Sequence, residues 1–564
     1  MSHNTSQGSG DLENQKTSDT THVPFNTNDE SLHDNPAFHR HAEATTAELF
    51  YDLFFVANLT TFTSGLEIND HNSLTAYVGF FSLLWLTWYQ VSLYDVRFSA
   101  DSVFERCAKA IHFGTMVGFA VIGPQWKPGQ KIDDYKIYKA FGLILLVSRL
   151  TLVCQYGVTL FYTKKYTKTR IPLLLVMGSS LIAAILYGAL TPAFPNPVYP
   201  EKVKTNVYIA WYIIGICEVL LTVSVSCIWR VISFKGTHMV QRMSLLTLII
   251  LGEGIIVICK SISKIVKNEF LWTAAVVGQI ISAVLIIYFL YMLYFDRMQE
   301  DHFGSIKQQI WSVLHFPLHT VLVLVLQGIS LLIIWVQAID AFNVLGSDFQ
   351  YVNNQMGNYT DGAEFATALN ATAYNNVFYF VPKGVDATKE IETVYNSLFV
   401  IAEAYDFVMS SNWTNTTAVD ELATGLNDLL SATSKTLFDS LSVTLPKKKY
   451  EQKLDLDGML ATYVGIFELV FQYVFIAGGL ALILTTVLGF LSLPAHQRRG
   501  SEYIRLSINF FAGVGVCMII PLVVHFGDKD GNYISSAWLI PTLCILFFLC
   551  VVINVAKVGK EKKH

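Results

Sequence analysis

Charged residues are scarce in this chain of 564 residues: Asp, Glu, Lys and Arg make up 15% of it, while 52% of it is hydrophobic. A soluble protein usually has about a quarter of its residues charged, so the composition excludes an ordinary soluble domain. The formal net charge is only −5, and no basic patch with interleaved aromatic residues occurs. Both observations exclude a nucleic-acid partner.

Several sequence motifs are also missing. The eight cysteines show no CxxC spacing, which excludes both a recognisable zinc site and a disulfide framework. There is no phosphate-binding P-loop, dinucleotide fingerprint, GxSxG elbow or HExxH helix. We therefore expect no nucleotide, no cofactor and no metal, and nothing identifies the chain as an enzyme. The N-terminus lacks the basic-then-apolar pattern of a signal peptide, so the first apolar segment is expected to direct membrane insertion.

Long apolar runs dominate what is present, and the mean hydropathy is +0.43. A spanning helix needs ~20 apolar residues, and many runs reach that length. The sequence therefore predicts an all-α, polytopic transmembrane helix bundle of about twelve spans, with the lipid bilayer as its main partner. The expected spans are 48–66, 74–94, 108–126, 138–163, 171–192, 207–231, 241–262, 271–295, 313–337, 459–492, 506–526 and 536–556.

A polar insert at 340–456 interrupts the apolar runs, and helical spacing within it predicts a small helical domain. It contains four N-x-S/T sequons, at Asn358, Asn370, Asn412 and Asn415, which predict glycosylation on an extracellular or lumenal face. The remaining regions are a disordered cytosolic tail (1–44), a nine-span domain (45–337), three C-terminal spans (459–556) and a basic cytosolic tail (557–564). Arginine-containing loops on the opposite face support cytosolic termini. The plasma membrane, the vacuole and the endoplasmic reticulum all remain open as locations.

The stretch AELFYDLFFVANLTTF places two acids at the head of the first span. Glu48 and Asp52 are spaced i, i+4, so both lie on one helix face about 6 Å apart along the axis. Two carboxylates this close would raise each other's pKa unless a cation lies between them. The spacing favours cation coordination or a shared proton. The alternative is a cap at the helix N-terminus, where the helix dipole favours acids.

A third acid, Glu253, stands near the middle of the seventh span between two glycines. An ionisable residue at that depth is a functional candidate by default, and small neighbours favour close helix approach. Arg149 in the fourth span is its expected counter-ion, and Glu218 in the sixth competes for that arginine. The alternative is a static buried ion pair that only fixes helix packing.

Three further residues are secondary candidates. His315 and His319 are spaced i, i+4 in the ninth span and could bind a metal or form half of a haem site. No second pair exists at matching depth, and Pro317 between them favours a kinked helix entry instead. Glu468 in the tenth span aligns with Glu48, which would fit an inverted repeat.

Two segments resemble the low-temperature-requirement A (LtrA-like) membrane protein family. AELFYDLFFVANLTTF is similar to its E-L-F-F-D-L-x-F-V signature, and QRMSLLTLIILGEGIIVI is similar to its E-R-x-x-L-x-x-I-I-x-L-G-E signature. The matching residues are Glu48, Leu49, Phe50, Asp52, Leu53, Phe55 and Val56, then Arg242, Leu245, Ile249, Leu251, Gly252 and Glu253. Tyr51 replaces a usual Phe and Gln241 a usual Glu. The resemblance covers residues 40–335 and implies a multi-pass membrane protein. With the sequons, it suggests a eukaryotic, fungal-type member.

The leading hypothesis is a secondary transporter or cation- or proton-conducting protein for a small ion or solute. Glu48, Asp52 and Glu253 would line its path, with Arg149 as counter-charge. A second hypothesis is an intramembrane enzyme acting on a lipid-like substrate through the two histidines of the ninth span. A third is a non-transporting scaffold or sensor. Homo-oligomerisation is left open.

Overall fold

The structure is a computed structural model. It describes residues 25–26, 37–38, 44–65, 68–132, 134–196, 202–233, 237–266, 273–298, 305–382, 384–446, 456–493, 500–523, 533 and 536–555. Nearly all of the tail predicted to be disordered (1–44) and the basic tail (557–564) lie outside these residues.

The described chain is almost entirely helical, which confirms the predicted all-α membrane bundle. Two short strands, β1 (Phe25–Asn26) and β2 (Ala37–Phe38), pair antiparallel. The helices are α1 (Thr46–Gly65), α2 (His71–Phe98), α3 (Val103–Ile122), α4 (Lys136–Thr163), α5 (Thr167–Leu190), α6 (Ile209–Ile228), α7 (Met239–Val266), α8 (Ala274–Phe295), α9 (Ser305–Asn354), α10 (Gly362–Asn376), α11 (Thr388–Ser410), α12 (Thr416–Ser440), α13 (Leu456–Ser492), α14 (Gly500–Leu522) and α15 (Leu539–Val555).

A helix occupies each of the twelve predicted spans. Among the described residues, nine helices are long and apolar enough to cross a membrane, namely α3 to α9, α13 and α14. Helix α15 is apolar but shorter, and α1 and α2 carry more polar residues. The chain is therefore a multi-pass membrane protein, while the count of twelve spans stays a prediction.

Helix α9 is longer than the sequence predicts. It runs for 50 residues, about 75 Å at 1.5 Å per residue, whereas a bilayer core is about 30 Å thick. Its C-terminal part therefore extends into the polar insert, where it packs against α10 and α12. Pro317 lies inside the helix and does not end it.

The insert is helical, as predicted, and aromatic rings join it to the bundle. Phe438 of α12 stacks on Tyr463 of α13 with ring centroids 4.0 Å apart. One turn further along α13, Phe467 stacks on Trp335 of α9 at 3.7 Å. These buried aromatic contacts fix the end of the insert above α9 and α13.

Helices α1 and α7 lie side by side and run parallel, and this pairing positions the candidate site. Side-chain contacts join successive positions along both helices: Glu48 with His238, Asp52 with Arg242, Thr60 with Glu253, and Ser64 with Lys260. Parallel packing agrees with their predicted places as the first and seventh spans, because both odd-numbered spans would cross in the same direction.

Candidate functional site

Asp52 forms the centre of a buried charge cluster between α1, α2 and α7. Its Oδ1 accepts hydrogen bonds from Arg242 Nη2 at 2.8 Å and from Trp88 Nε1 at 2.7 Å. The Arg242 guanidinium lies 5.3 Å from the Trp88 ring centroid, which adds a cation–π contact. Asp52 and Arg242 are both fully buried. The acid of the first sequence motif therefore pairs directly with the arginine of the second.

Glu48 has two roles, one at the helix start and one in the cluster. Its Oε2 accepts hydrogen bonds from the Thr45 backbone N–H at 2.7 Å and the Thr45 hydroxyl at 3.0 Å. This is the capping contact that the alternative interpretation requires. The same carboxylate lies 3.0 Å from His238 Nε2 and 3.8 Å from Arg242 Nη1. Glu48 therefore caps α1 and also belongs to the buried cluster, whereas Asp52 makes no capping contact.

Asp95 is a third carboxylate in the same cluster, and the sequence analysis missed it. Its Oδ2 lies 3.6 Å from Arg242 Nη1, and the partly exposed Lys109 interacts with it electrostatically. Within the described part of the chain, Asp95 Oδ1 and Asp52 Oδ2 have no hydrogen-bond partner although both are buried. Buried polar oxygens are nearly always hydrogen-bonded, so the cluster has unused acceptor capacity.

The charges of this cluster do not balance. Three carboxylates, Glu48, Asp52 and Asp95, surround one guanidinium and one imidazole. The partly exposed Lys109 is a second cation beside Asp95, and it also faces the carboxylate of Glu105. With Lys109 and Glu105 both counted, every acid ionised and His238 neutral, this group has a net charge of −2. A buried uncompensated charge is costly, so the arrangement favours uptake of a further proton or cation.

The second acidic position is Glu253. It is far from the first motif in sequence, but its helix, α7, packs directly against α1. It is 6% exposed, and its Oε2 accepts a 2.5 Å hydrogen bond from the Thr60 hydroxyl. Its buried Oε1 has no partner among the residues that the structure describes. Of its flanking glycines, Gly254 faces Leu326 so closely that an added Cβ would lie 2.6 Å from it, while Gly252 faces open space.

The prediction that Arg149 is the counter-ion of Glu253 is wrong. Arg149 pairs instead with Glu218, its Nε lying 2.7 Å from Glu218 Oε2, and both side chains are about 1% exposed. Arg149 also donates to the hydroxyls of Thr87 and Ser148. The physical reason is helix packing. Helix α4 carries Arg149 against α2 and α5, which pack on α6, whereas α7 carries Glu253 against α1 and α9.

Asp52 and Glu253 do not converge on one contact. Along α1 the two contact levels are separated by eight residues, and along α7 by eleven, or about 12 and 16 Å of helix rise. The intervening stretch buries Phe55 and Leu59 on α1 and Leu246 and Ile250 on α7, each no more than 1% exposed. The two acidic positions are therefore separated by packed and mostly apolar side chains. The buried polar residues at this level, Asn58 and Thr247, are hydrogen-bonded to the Met116 carbonyl and to His319.

Beyond Glu253, a cavity of about 590 Å³ opens between the C-terminal parts of α1 and α7 and the wall of α9. We call it the vestibule. It is lined by Thr63, Ser64, Ile255, Ile256, Val257, Cys259, Lys260, Ser261, Ser263, Lys264, Gln327, Ser330, Leu331, Ile334 and Ser442. Val257, which lines the vestibule, lies one helical turn beyond Glu253. The acid therefore lies about one turn outside the vestibule, on the side toward Asp52.

The two histidines of α9 are fully buried, and each ring nitrogen makes a hydrogen bond. His315 Nδ1 lies 2.8 Å from the Trp311 carbonyl and its Nε2 2.8 Å from the Tyr294 hydroxyl. His319 Nδ1 accepts from Trp85 Nε1 at 3.0 Å, and its Nε2 lies 2.8 Å from the Thr247 hydroxyl. A metal could bind only after one of these bonds breaks. Among the residues that the structure describes, no group of three or more His, Cys, Asp or Glu side chains could hold one metal ion.

The remaining candidates lie apart from the cluster. Glu468 on α13 accepts a hydrogen bond from Gln472 of its own helix at 3.2 Å, so it does not reproduce the pairing of Glu48. Three predicted glycosylation sites, Asn358, Asn412 and Asn415, are exposed, while Asn370 is partly buried. Asn415 also caps α12. Glycosylation stays a prediction.

One sequence signal could have located the missing partners. His238 and Arg242 are spaced i, i+4, the same spacing as Glu48 and Asp52, so two bases on α7 face two acids on α1. Asp95 was harder to detect, because it lies one residue beyond the predicted end of the second span. Gln241, which replaces the family's acid beside Arg242, accepts a hydrogen bond from the Ala44 backbone N–H at 3.0 Å. It contacts the segment before α1 and not the cluster.

Comparison with known proteins supports the resemblance found in the two motifs. The family model described as bacterial low temperature requirement A protein (LtrA) matches residues 43–347, slightly more than half of the chain. The match includes the whole Arg242 cluster, Glu253 and the Arg149–Glu218 pair. It ends within α9, before α10 begins. Comparison with curated proteins and with solved structures finds no significant match to either.

Proposed function

Because this chain belongs to the bacterial low temperature requirement A family and is a multi-pass membrane protein, we propose that its buried acids serve transport. In this proposal the protein is a proton- or cation-coupled secondary transporter. The Arg242 cluster is the inner ion site, and Glu253 is the outer one. The predicted topology places the vestibule on the extracytosolic side.

The observation that carries the proposal is the excess of carboxylates around Arg242. Around Arg242, two buried carboxylate oxygens, on Asp52 and Asp95, lack hydrogen-bond partners in the described chain. Glu218 Oε1, in the Arg149 pair, also lacks one, so the number of acids around each arginine, and not an unpartnered oxygen, distinguishes the two sites. A proton on either acid would supply a donor and lower the net negative charge. A proton is favoured over a coordinated metal ion, because the Arg242 guanidinium lies between the carboxylates and no group of three or more His, Cys, Asp or Glu side chains among the described residues is arranged to hold one metal ion.

The packed apolar segment between the two acidic positions favours a carrier over an open channel. An ion crossing from Glu253 to Asp52 must pass the level of Phe55, Leu59, Leu246 and Ile250, which are all buried. In alternating access, helices rock so that each acidic position reaches one side at a time. Parallel α1 and α7 carry both positions, so a relative movement of these helices would expose them in turn.

Flux measurement in proteoliposomes tests this proposal. The full chain is reconstituted with an internal pH-sensitive dye, and uptake is followed under a pH gradient and across a cation series. Asp52→Asn, Asp95→Asn and Glu253→Gln should each lower flux by about tenfold or more, because each removes an ion-accepting group.

Glu468→Gln is the matched control. It makes the same carboxylate-to-amide change on a membrane helix outside the cluster, and flux should stay at the level of the parent. If the parent shows flux that both cluster variants and the Glu253 variant retain, the ion-site assignment is wrong. If the parent shows no flux with any cation or pH gradient, the alternative of a non-transporting scaffold or sensor is favoured.

A further inference from the structure

The vestibule has the size of a small-molecule site. Its volume is about 590 Å³, inside the range of roughly 300–1,000 Å³ that is typical of ligand pockets. Its wall combines hydroxyl groups, one amide and two ammonium groups with aliphatic side chains. This mixture differs from the apolar groove between α7 and α8, whose lining includes Leu251, Ile258 and Tyr288.

Lys260 and Lys264 are the charged side chains in the described lining of the vestibule, and no acid is among the described residues that form its wall. Lys260 Nζ donates a 3.0 Å hydrogen bond to the Ser64 hydroxyl, which holds the ammonium group at the junction of α1 and α7. Lys264 already has an interaction partner of its own, so Lys260 is the cation that faces a ligand. An ammonium group on this wall favours an anionic group of a ligand and disfavours a simple cation.

Gln327 provides an independent observation on the opposite wall. This α9 residue is 7% exposed and lines the vestibule. Its buried Oε1 has no hydrogen-bond partner in the described part of the chain. A buried acceptor left without a donor costs about 1–3 kcal/mol, so the amide is suited to receive a donor from a bound molecule.

We propose that the vestibule binds a small carboxylate that also carries a hydrogen-bond donor, such as a hydroxy acid or an amino acid. The carboxylate contacts Lys260, and the hydroxyl or ammonium group donates to Gln327 Oε1. The inference rests on the proposed function for its role in transport: the anion would enter from the vestibule while Glu253, one turn below, takes up the proton or cation that accompanies it.

Equilibrium binding to the full chain in lipid nanodiscs tests the assignment without any gradient. The probes are L-lactate, glycine and acetate, which share the carboxylate but differ in the donor. Lactate or glycine should bind about tenfold more tightly than acetate, since one buried hydrogen bond is gained. Lys260→Gln should weaken all three probes, whereas Gln327→Leu should reduce the donor-bearing probe to the affinity of acetate and leave acetate unchanged.

Lys136→Gln is the matched control, because it removes an exposed lysine outside the vestibule by the same substitution. Three results would overturn the inference: no binding of any probe to the parent, equal binding in Lys260→Gln and parent, or an equal effect of Gln327→Leu on acetate and on the donor-bearing probes. Lactate and glycine differ in their donors, so the stronger of the two identifies the hydroxyl or the ammonium group. Binding without flux would contradict the proposed transport and still support this site.

Discussion

Arg242 and Arg149 are both fully buried in the part of the chain that matches the family, yet their surroundings differ. Arg149 faces one carboxylate, Glu218, at 2.7 Å, and its other contacts include hydroxyl groups. Arg242 faces three carboxylates at 2.8, 3.6 and 3.8 Å. Burial of an arginine therefore does not by itself separate a structural pair from an ion site. The ratio of acids to bases does, because a proton or cation lowers the uncompensated charge of an acid-rich cluster, whereas it leaves a balanced pair with an uncompensated charge.

The largest expected effect comes from removing each arginine. Arg149→Met leaves one buried carboxylate uncompensated and should lower the free energy of unfolding by about 3–5 kcal/mol. Arg242→Met leaves three acids close together, so the loss should exceed that range. Thermal and denaturant unfolding of the purified variants in detergent measures both values. An Arg242→Met variant as stable as the Arg149→Met variant would show that the three acids are not all ionised beside Arg242.

Removing one acid from each site should reverse the order of the two stability losses, so that the larger loss occurs at the Arg149 site. Glu218→Gln leaves Arg149 without a counter-ion and should destabilise by about 3–5 kcal/mol. Asp95→Asn reduces an excess of negative charge and should change stability by no more than about 1 kcal/mol, while flux should fall by about tenfold or more. The same unfolding measurement with flux on the same preparations tests both parts. A large stability loss in Asp95→Asn would place Asp95 in a balanced structural network.

A smaller effect is expected when the whole Arg149–Glu218 pair is replaced. Exchange of a buried ion pair for apolar side chains of similar volume is often neutral, so Arg149→Met with Glu218→Met should stay within about 1 kcal/mol of the parent. Arg242→Met with Asp52→Met is the comparison variant, and it should remain destabilised because Glu48 and Asp95 lose their cation. If the first double variant loses flux while remaining folded, the Arg149–Glu218 pair has more than a packing role.

These contrasts show which parts of the site are readable from sequence. Apolar run length predicted all twelve helices, because the membrane imposes a length on each span. The i, i+4 spacing of Glu48 and Asp52 predicted a shared face that needs a cation. The identity of that cation, Arg242, depends on which helices pack together: the i, i+4 spacing of His238 and Arg242 indicates a basic face, but local periodicity does not show which helix that face meets. The same limit led to the wrong pairing of Arg149 with Glu253.

Charged residues near a span boundary are the second gap. Hydropathy ended the second span at residue 94, whereas α2 continues to Phe98 and buries Asp95 and Arg97. A buried ion-paired acid lowers local hydropathy just as an exposed one does. Hydropathy therefore ends the span at the first of its buried charged residues. The insert shows the opposite case: helical spacing predicted α11 and α12 but not α10, and the 50-residue length of α9 was hidden because its polar half resembles a separate loop.

The smallest expected effect concerns Glu364, an exposed acid in the insert. Neutral hydrogen-bond donors, and not a basic side chain, stabilise its carboxylate. The exposed Glu364 carboxylate accepts hydrogen bonds from the Thr360 backbone N–H and hydroxyl, both at 2.8 Å. The Thr360 hydrogen bonds lower the pKa of Glu364 below its ordinary value of 4.5. Because the folded-state pKa is the lower one, the contact stabilises the start of α10 above pH 4.5 and is lost as the pH falls through the lowered pKa.

Amide hydrogen exchange at Thr360, corrected for the intrinsic dependence of exchange on pH, measures this local effect. Protection of the Thr360 amide should fall on acidification in the parent and stay nearly constant in Glu364→Gln, whose amide does not titrate. An unchanged difference between the two proteins across the acidic range would mean that neutral donors do not favour the ionised carboxylate here. The Trp88 hydrogen bond to Asp52 Oδ1 would then not favour the ionised form of Asp52 either, since Trp88 and Thr360 are both neutral donors to a carboxylate.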